Sequence, residues 1–229
     1  RKNEVSFWQT LKKAHSSNAK VPAAPGVHEK LWAPSGMEDL DPVFSWAIQN
    51  SKNENQDLYK FYYGTWLAGR GDTEKSIEIL SSSKNGLAKV LLARLLKQKQ
   101  NNKEALAAIQ SIEEKWLQLH PQVVIDRDKL LRAAGNSTLA EREKWLNEVN
   151  ALKDEWIIER RVQLLIDKGQ HEKAKDLLLS TEFQKVHQTY TRTGLWQQIC
   201  EKLNLQCSPV PAQLGEDRLA TFGAYREFE

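Results

Sequence analysis

Between Leu58 and Ser180, apolar residues recur every three to four positions, in runs broken by short polar turns. The clearest example is Asp154–Ser180. Trp156, Ile157, Ile158, Val162, Leu164, Leu165 and Ile166 fall on its first half, and Ala174, Leu177, Leu178 and Leu179 on its second, with Lys168-Gly169-Gln170 between them. This spacing predicts two amphipathic helices joined by a tight turn. A lone pair cannot bury both of its apolar stripes, so it needs neighbours of the same kind. The same pattern predicts a helix over Leu58–Ala68, a turn at Gly69-Arg70-Gly71 and a helix over 72–82 with Asp72 as its N-cap. Further helices are expected in LAKVLLARLLKQKQ after Gly86, in KEALAAIQSIEEKWLQL, in QVVIDRDKLLRAAG with Pro121 in its first turn, and in TLAEREKWLNEV.

The turns line up. Gly71, Gln100, Gly135 and Gly169 each precede by five residues a small residue, Ser76, Ala105, Ala140 or Ala174, and successive subtraction of the latter gives spacings of 29, 35 and 34. Helix–turn–helix units with a period near 34 residues are the signature of tetratricopeptide repeats, and GDTEKSI, QNNKEAL, GNSTLAE and GQHEKAK resemble that family's turn pattern. The resemblance implies a small residue seven positions before each turn, where the two helices approach closely. Gly64, Ala93 and Val162 stand there in three units, and Asp128 stands there in the third. The proline that ends each repeat in the family is missing. The expected fold is therefore all-α, a tetratricopeptide-like helical hairpin solenoid with an irregular N-terminal arm and a C-terminal capping helix plus tail. Its expected divisions are an arm over 1–56, four repeats over 57–182, and cap and tail over 183–229.

Outside the repeats the pattern is weaker. Phe7, Trp8 and Leu11 fit one short helix ending near His15, and the Ser-, Ala- and Pro-rich stretch from Ser16 to Pro25 reads as an extended linker. Asp41-Pro42 reads as an N-cap and first-turn proline for a helix over Val43–Gln49. Trp8, Trp32 and Trp46 call for burial, either along the helical body or on a preceding domain. Near the C-terminus Leu195, Trp196, Ile199, Cys200 and Leu203 form the stripe of a capping helix, which an open solenoid end requires. Phe222, Tyr225 and Phe228 are expected to bring the tail back onto the body.

Composition adds limits. The 229 residues are 40% hydrophobic and 28% charged with a net charge of +3, which fits a globular chain and gives no overall field for nucleic acid or a membrane surface. There is no transmembrane run and no secretory signal. The chain opens on Arg1, which fits a piece of a longer protein or a processed product. Cys200 and Cys207 flank a helix end and read as free thiols or a local disulfide. The five histidines, His15, His28, His120, His171 and His187, show no ligand spacing. Phosphate-cradle, nucleophile-elbow and paired-carboxylate motifs are missing, so no catalytic residue, metal or cofactor is expected.

Three strings have structural explanations. Arg70-Gly71-Asp72 reads as a turn followed by an N-cap rather than an adhesion motif. Asn136-Ser137-Thr138 reads as turn chemistry rather than a glycosylation site. Tyr59, Tyr62, Tyr63 and Trp66 share one helix face and read as core rather than a sugar platform.

The groove of a tetratricopeptide fold is lined by the first helices of its repeats. Transferring those positions selects Phe61, Arg94, Lys97, Gln98, Lys129, Arg132, Glu159 and Gln163. Four of the eight are cationic, which favours anionic groups of a peptide; the alternatives are a solvated face, or a groove filled by the chain's own arm or tail. His187, Tyr190 and Arg192 lie in an irregular stretch and read as a polar knot that fixes the capping helix.

Residues 154–229 also carry a narrower resemblance. Phe183, His187, Tyr190, Arg192, Leu195 and Trp196 follow an FxxxHxxY-x-R-xx-LW pattern, similar to the C-terminal tetratricopeptide region of bacterial DUF5107-domain proteins. The resemblance implies a non-catalytic region of a larger, sugar-associated and often periplasmic or extracellular protein. The leading functional expectation is a protein-interaction or scaffolding module whose partner is a protein, a peptide or a preceding domain of the same chain. The alternative is an accessory domain of a carbohydrate-active enzyme.

Overall fold

The structure, a computed structural model, describes residues 2–26, 39–149, 154–183 and 189–214. Among these the chain is all-α, with twelve α-helices and no strand. It divides into two units, residues 1–118 and 119–229.

The first unit contains α1 (Lys2–Ser16), α2 (Asp41–Gln49), α3 (Asn53–Gly69), α4 (Thr73–Ser81), α5 (Gly86–Gln98), α6 (Asn102–Gln110) and α7 (Lys115–Gln118). Its main core gathers Trp8, Leu11, Val21 and Phe44 around Tyr59, Tyr62, Tyr63 and Trp66. The Tyr59 hydroxyl donates to the Pro22 carbonyl at 3.0 Å and the Tyr62 hydroxyl to the Pro25 carbonyl at 2.9 Å. These bonds satisfy polar tips that burial would otherwise orphan, and they pin the N-terminal segment along α3. The aromatic face of α3 is core. Trp46 is half-buried, and Trp32 and His28 lie outside the described residues.

Two boundaries differ from expectation. Asp41 belongs to α2 rather than capping it. Its carboxylate is drawn away from the helix N-terminus by the Tyr63 hydroxyl at 2.6 Å and by Lys75. Burial pushes the Asp41 carboxyl up, but bonds from Lys75 and Tyr63 outweigh it and hold the group below its ordinary value. The predicted long helix after Asn102 breaks into α6 and α7. Here Glu114 turns back to accept from the Gly86 amide at 2.9 Å, and Gln118 donates to the Ile112 carbonyl at 2.6 Å.

The second unit contains α8 (Pro121–Ala133), α9 (Leu139–Glu148), α10 (Glu155–Asp167), α11 (His171–Ser180) and α12 (Thr189–Leu203). Val162, Ala174, Leu178, Phe183, Leu195, Trp196, Ile199 and Cys200 form one core, so α12 closes over α10 and α11 as a capping helix. Cys200 and Cys207 are free thiols, and burial together with the neighbouring Cys207 pushes Cys200 up to about 11. Tyr190 and Arg192 are helical, not irregular, because α12 already starts at Thr189. His187, Phe222, Tyr225 and Phe228 lie outside the described residues.

Four hairpins, α3–α4, α5–α6, α8–α9 and α10–α11, turn at Gly71, Gln100, Gly135 and Gly169, with φ of 87°, 64°, 97° and 73°. Glycine adopts this left-handed region without a Cβ penalty. In three turns the following amide closes the helix end: Asp72 to Leu67, Asn101 to Leu96 and Gln170 to Leu165, at 3.0, 2.9 and 2.8 Å. Asp72 then caps α4 by accepting from the Lys75 amide.

In the same three hairpins small buried residues face each other twelve positions apart: Gly64 and Ser76, Ala93 and Ala105, Val162 and Ala174. The Ser76 hydroxyl donates to the Gly64 carbonyl at 2.8 Å. A Cβ on Gly64 would lie 2.5 Å from Leu80, which leaves room only for glycine.

The α8–α9 hairpin breaks this rule. A 3-10 turn at Asn136–Thr138 follows Gly135, anchored by the Thr138 hydroxyl donating to the Leu131 carbonyl at 2.7 Å. The inward residue of α9 therefore comes seven positions after Gly135 instead of five. It is Arg142, while the expected Ala140 is exposed. Asp128, on α8, is fully buried opposite it.

Candidate functional site

The exchange of a small pair for a charged one reorganises the groove side of the second unit. Arg142 is 1% exposed and donates to Asp128 at 2.8 Å through Nε and to Asp167 at 2.7 Å through Nη1. Arg160 also donates to Asp128, at 2.5 Å. Arg132 forks onto Asp167 with bonds of 2.8 and 3.1 Å, and Gln163 donates to Asp167 at 3.1 Å. Buried charges persist only when paired and hydrogen-bonded, and each carboxylate here takes more than one donor. Burial pushes Asp167 up, but bonds from Arg132 and Arg142 outweigh it and hold the carboxyl below its ordinary value. Burial likewise disfavours the Arg142 cation, but bonding to Asp128 and Asp167 keeps its pKa raised.

Helical spacing presents this network to solvent on one side. On α10, Glu159 and Arg160 stand three and four residues after Trp156, Gln163 stands four and three after them, and Asp167 four after Gln163, so the five share one face. On α8, Lys129 and Arg132 stand on the exposed side. The result is a cleft of about 510 Å³ lined by Lys129, Arg132, Asn136, Arg142, Arg160 and Asp167. A second cleft, of about 270 Å³, is lined by Gln122, Ile125, Lys129, Trp156, Glu159, Arg160 and Thr191. Lys129 and Arg160 belong to both, so the clefts adjoin.

Glu159 is 5% exposed, and its Oε1 has no hydrogen-bond partner among the described residues. The nearest cation, the Arg192 Nε, stands 3.8 Å away. Burial, with the charges of Glu155 and Asp154, pushes the Glu159 carboxyl up to about 7 against the pull of Arg192 and Arg160. Nη2 of Arg160 is also buried without a hydrogen-bond partner.

The sequence-selected groove residues thus fall into two sets. Lys129, Arg132, Glu159 and Gln163 come together around the network. In the first unit, Arg94, Lys97 and Gln98 are exposed on α5, and Phe61 packs its ring against Tyr62 at 5.4 Å. A cleft of about 550 Å³ in that unit is lined instead by Asn53, Asp57, Lys60, Ser82, Lys84 and Glu114 among others. Of the three knot residues, Arg192 is buried beside Glu159 with its guanidinium 4.5 Å from the Phe183 ring, whereas Tyr190 is 83% exposed and stands apart. Trp156, Arg142, Arg160 and Asp167 were not selected from sequence. Three of them share the α10 face with Glu159 and Gln163, a periodicity that would have found them. Arg142 is reached only by allowing the two-residue shift after Gly135.

Residues 8–199 match the model of a family that bears the description "-like, C-terminal domain". The chain belongs to this family of C-terminal domains. A crystal structure of a TPR-domain containing protein from Parabacteroides distasonis is similar over 94% of this chain, with 57% identity and a TM-score of 0.85. The match takes in 38% of that protein's chain. A comparison with curated proteins finds no match. In fold, this C-terminal domain is a tetratricopeptide-like helical repeat module. Among its described residues no group of His, Cys, Asp and Glu is placed to hold a metal ion, and no helix is long and apolar enough to cross a membrane.

Proposed function

We propose that the chain is a non-catalytic protein-interaction module of tetratricopeptide type within a larger protein, and that its partner docks on the groove side of α8 and α10. Residues 1–56 serve as an arm, 57–182 as the repeats, and 183–229 as cap and tail. The observation that carries this reading is the convergence of Lys129, Arg132 and Glu159 on two adjoining clefts, with Gln163 bonded to Asp167 on the wall of the larger. Such a surface suits acidic or carboxylate-bearing segments of a protein or peptide. The resemblance to DUF5107-domain proteins adds a sugar-associated, extracytoplasmic setting for the larger protein.

Affinity capture with the 229-residue chain tests the reading. The wild type should retain a partner that the Lys129→Glu/Arg132→Glu variant loses, while Arg94→Glu retains it. An unchanged set of partners in the double reversal would overturn the reading. Heat from soluble oligosaccharides titrated into the same chain would favour the accessory carbohydrate role instead.

A further inference from the structure

The end of α12 brings the chain's two cysteines together. Trp196 and Cys200 stand four residues apart and share one face of the helix. Asn204 follows the helix with a φ of 54°, and the Leu205 amide donates back to the Cys200 carbonyl at 2.9 Å. This left-handed ending reverses the chain. The returning segment lies against the face it has just left. Trp196 Nε1 donates to the Cys207 carbonyl at 3.1 Å, and Cys207 and Val210 pack on the core that holds Cys200. The two thiols are hydrogen-bonded to each other. Leu214, farther along the segment, is buried in the same core. Cys200 is 0% exposed and Cys207 is half-buried, so a reagent in solvent reaches only Cys207.

We propose that Cys200 and Cys207 form a redox latch: a low-molecular-weight disulfide such as oxidised glutathione converts them into an internal disulfide that fastens residues 204–214 to the capping helix. Cys207 first gives its proton to water, and its thiolate attacks one sulfur of the reagent. The reagent's S–S bond breaks, and one glutathione leaves as a thiolate that takes up a proton. Cys200 then loses its proton and attacks the Cys207 sulfur, which breaks the mixed disulfide and releases the second glutathione. The protein gives up two electrons and two protons, and the reagent becomes two thiols. The order of attack follows from access and acidity. Burial, with the neighbouring Cys207, holds the Cys200 thiol up to about 11, so it reacts only with a sulfur delivered to it. The helix reversal and the Trp196 bond already hold the two ends of the closed loop together. Oxidation thus makes the closing layer of the second unit covalent. The first unit contains no cysteine and does not respond.

Incubation of the intact 229-residue chain with excess oxidised glutathione, then unfolding, alkylation with N-ethylmaleimide and mass spectrometry, tests the latch. The expected product is a monomer lighter than the reduced chain by two hydrogens, with no thiol left to alkylate. Its tryptic digest should join the peptides that hold Cys200 and Cys207, which cleavage after Lys202 separates. Cys200→Ala should stop at a mixed disulfide on Cys207, and Cys207→Ser should keep Cys200 reduced. Hydrogen exchange at the amides of residues 204–214 should slow by about tenfold or more on oxidation and recover with dithiothreitol, while α3 to α6 stay unchanged. A wild-type chain that keeps both thiols, stops at the mixed disulfide or links to a second chain overturns the proposal. So does a disulfide that forms but leaves exchange in residues 204–214 as it was. These outcomes are read on the wild type, so they stand even where a variant fails to fold.

Discussion

The two hairpins of the first unit and the two of the second use one repeat plan for different ends. In α3–α4 and α5–α6, small residues meet across each hairpin: Gly64 with Ser76, Ala93 with Ala105. The polar content there is spent on holding the N-terminal segment, through Tyr59 and Tyr62. In α8–α9 the small pair is replaced by Asp128 and Arg142, and the charge spreads to Arg132, Arg160 and Asp167. A close-packed pair contributes dispersion and apolar burial. A buried ion pair contributes little net stability over an apolar pair of similar volume. What it adds is a fixed anchor for the charged residues around it, and Arg160, bonded to Asp128, lines both unit-two clefts. The difference teaches that a repeat can leave its small-residue rule where a charged face is wanted, provided that a longer turn supplies the reach.

The largest expected effect comes from breaking the exception. Asp128→Ala takes the carboxylate partner from Arg160 and leaves Arg142 with Asp167 alone among the described residues, and it should cost about 3–5 kcal/mol, measured by urea denaturation. The Asp128→Ala/Arg142→Ala double variant should lose less than the two single losses combined, since the pair is coupled. Additive losses would show that the two do not act as a replacement for a small pair. Breaking the rule in the first unit comes next. Gly64→Ala forces Leu80 to move and should cost about 1–3 kcal/mol; an unchanged transition would mean that the α3–α4 approach is not tight.

A smaller effect separates the units by pH. Glu159 holds its proton up to about 7 in the folded chain, against 4.5 as its ordinary value. The folded state therefore binds more protons between those values, and its stability must fall as pH rises through that window. The favourable contribution is complete below about 4.5 and gone above about 7. Thermal melts should show this loss for the wild type and not for Glu159→Gln. The smallest effect contrasts the buried network with a surface pair. Lys99 and Glu74 meet at the surface of the first unit, and Lys99→Ala should cost less than about 1 kcal/mol. A larger loss would show that exposed pairs matter here as much as buried ones.

Most of the fold was legible because its signals are local. Helical periodicity, turns at Gly71, Gly135 and Gly169, and the Asp72 cap are each set by residues close together in sequence. The register of α9 was not legible, because Asn136–Thr138 gives no warning that it will coil into an extra turn, and Ala140 fits the small-residue pattern better than Arg142 does. The break between α6 and α7 depends on Glu114 finding the Gly86 amide, a contact 28 positions away. At the site, groove positions transferred from the repeat plan located Lys129, Arg132, Glu159 and Gln163. They missed Arg160 and Asp167, whose roles come from partners on other helices. Asp128 announced itself only as a misfit.

Hydrogen–deuterium exchange of the intact chain with and without capped hexapeptides that combine Asp and Glu with Leu and Phe sets the two regions against each other directly. The account predicts added protection confined to amides of α8 and α10. Protection concentrated in α3 and α5, or spread equally over all four helices, would contradict the claim that the exceptional hairpin builds the interaction surface.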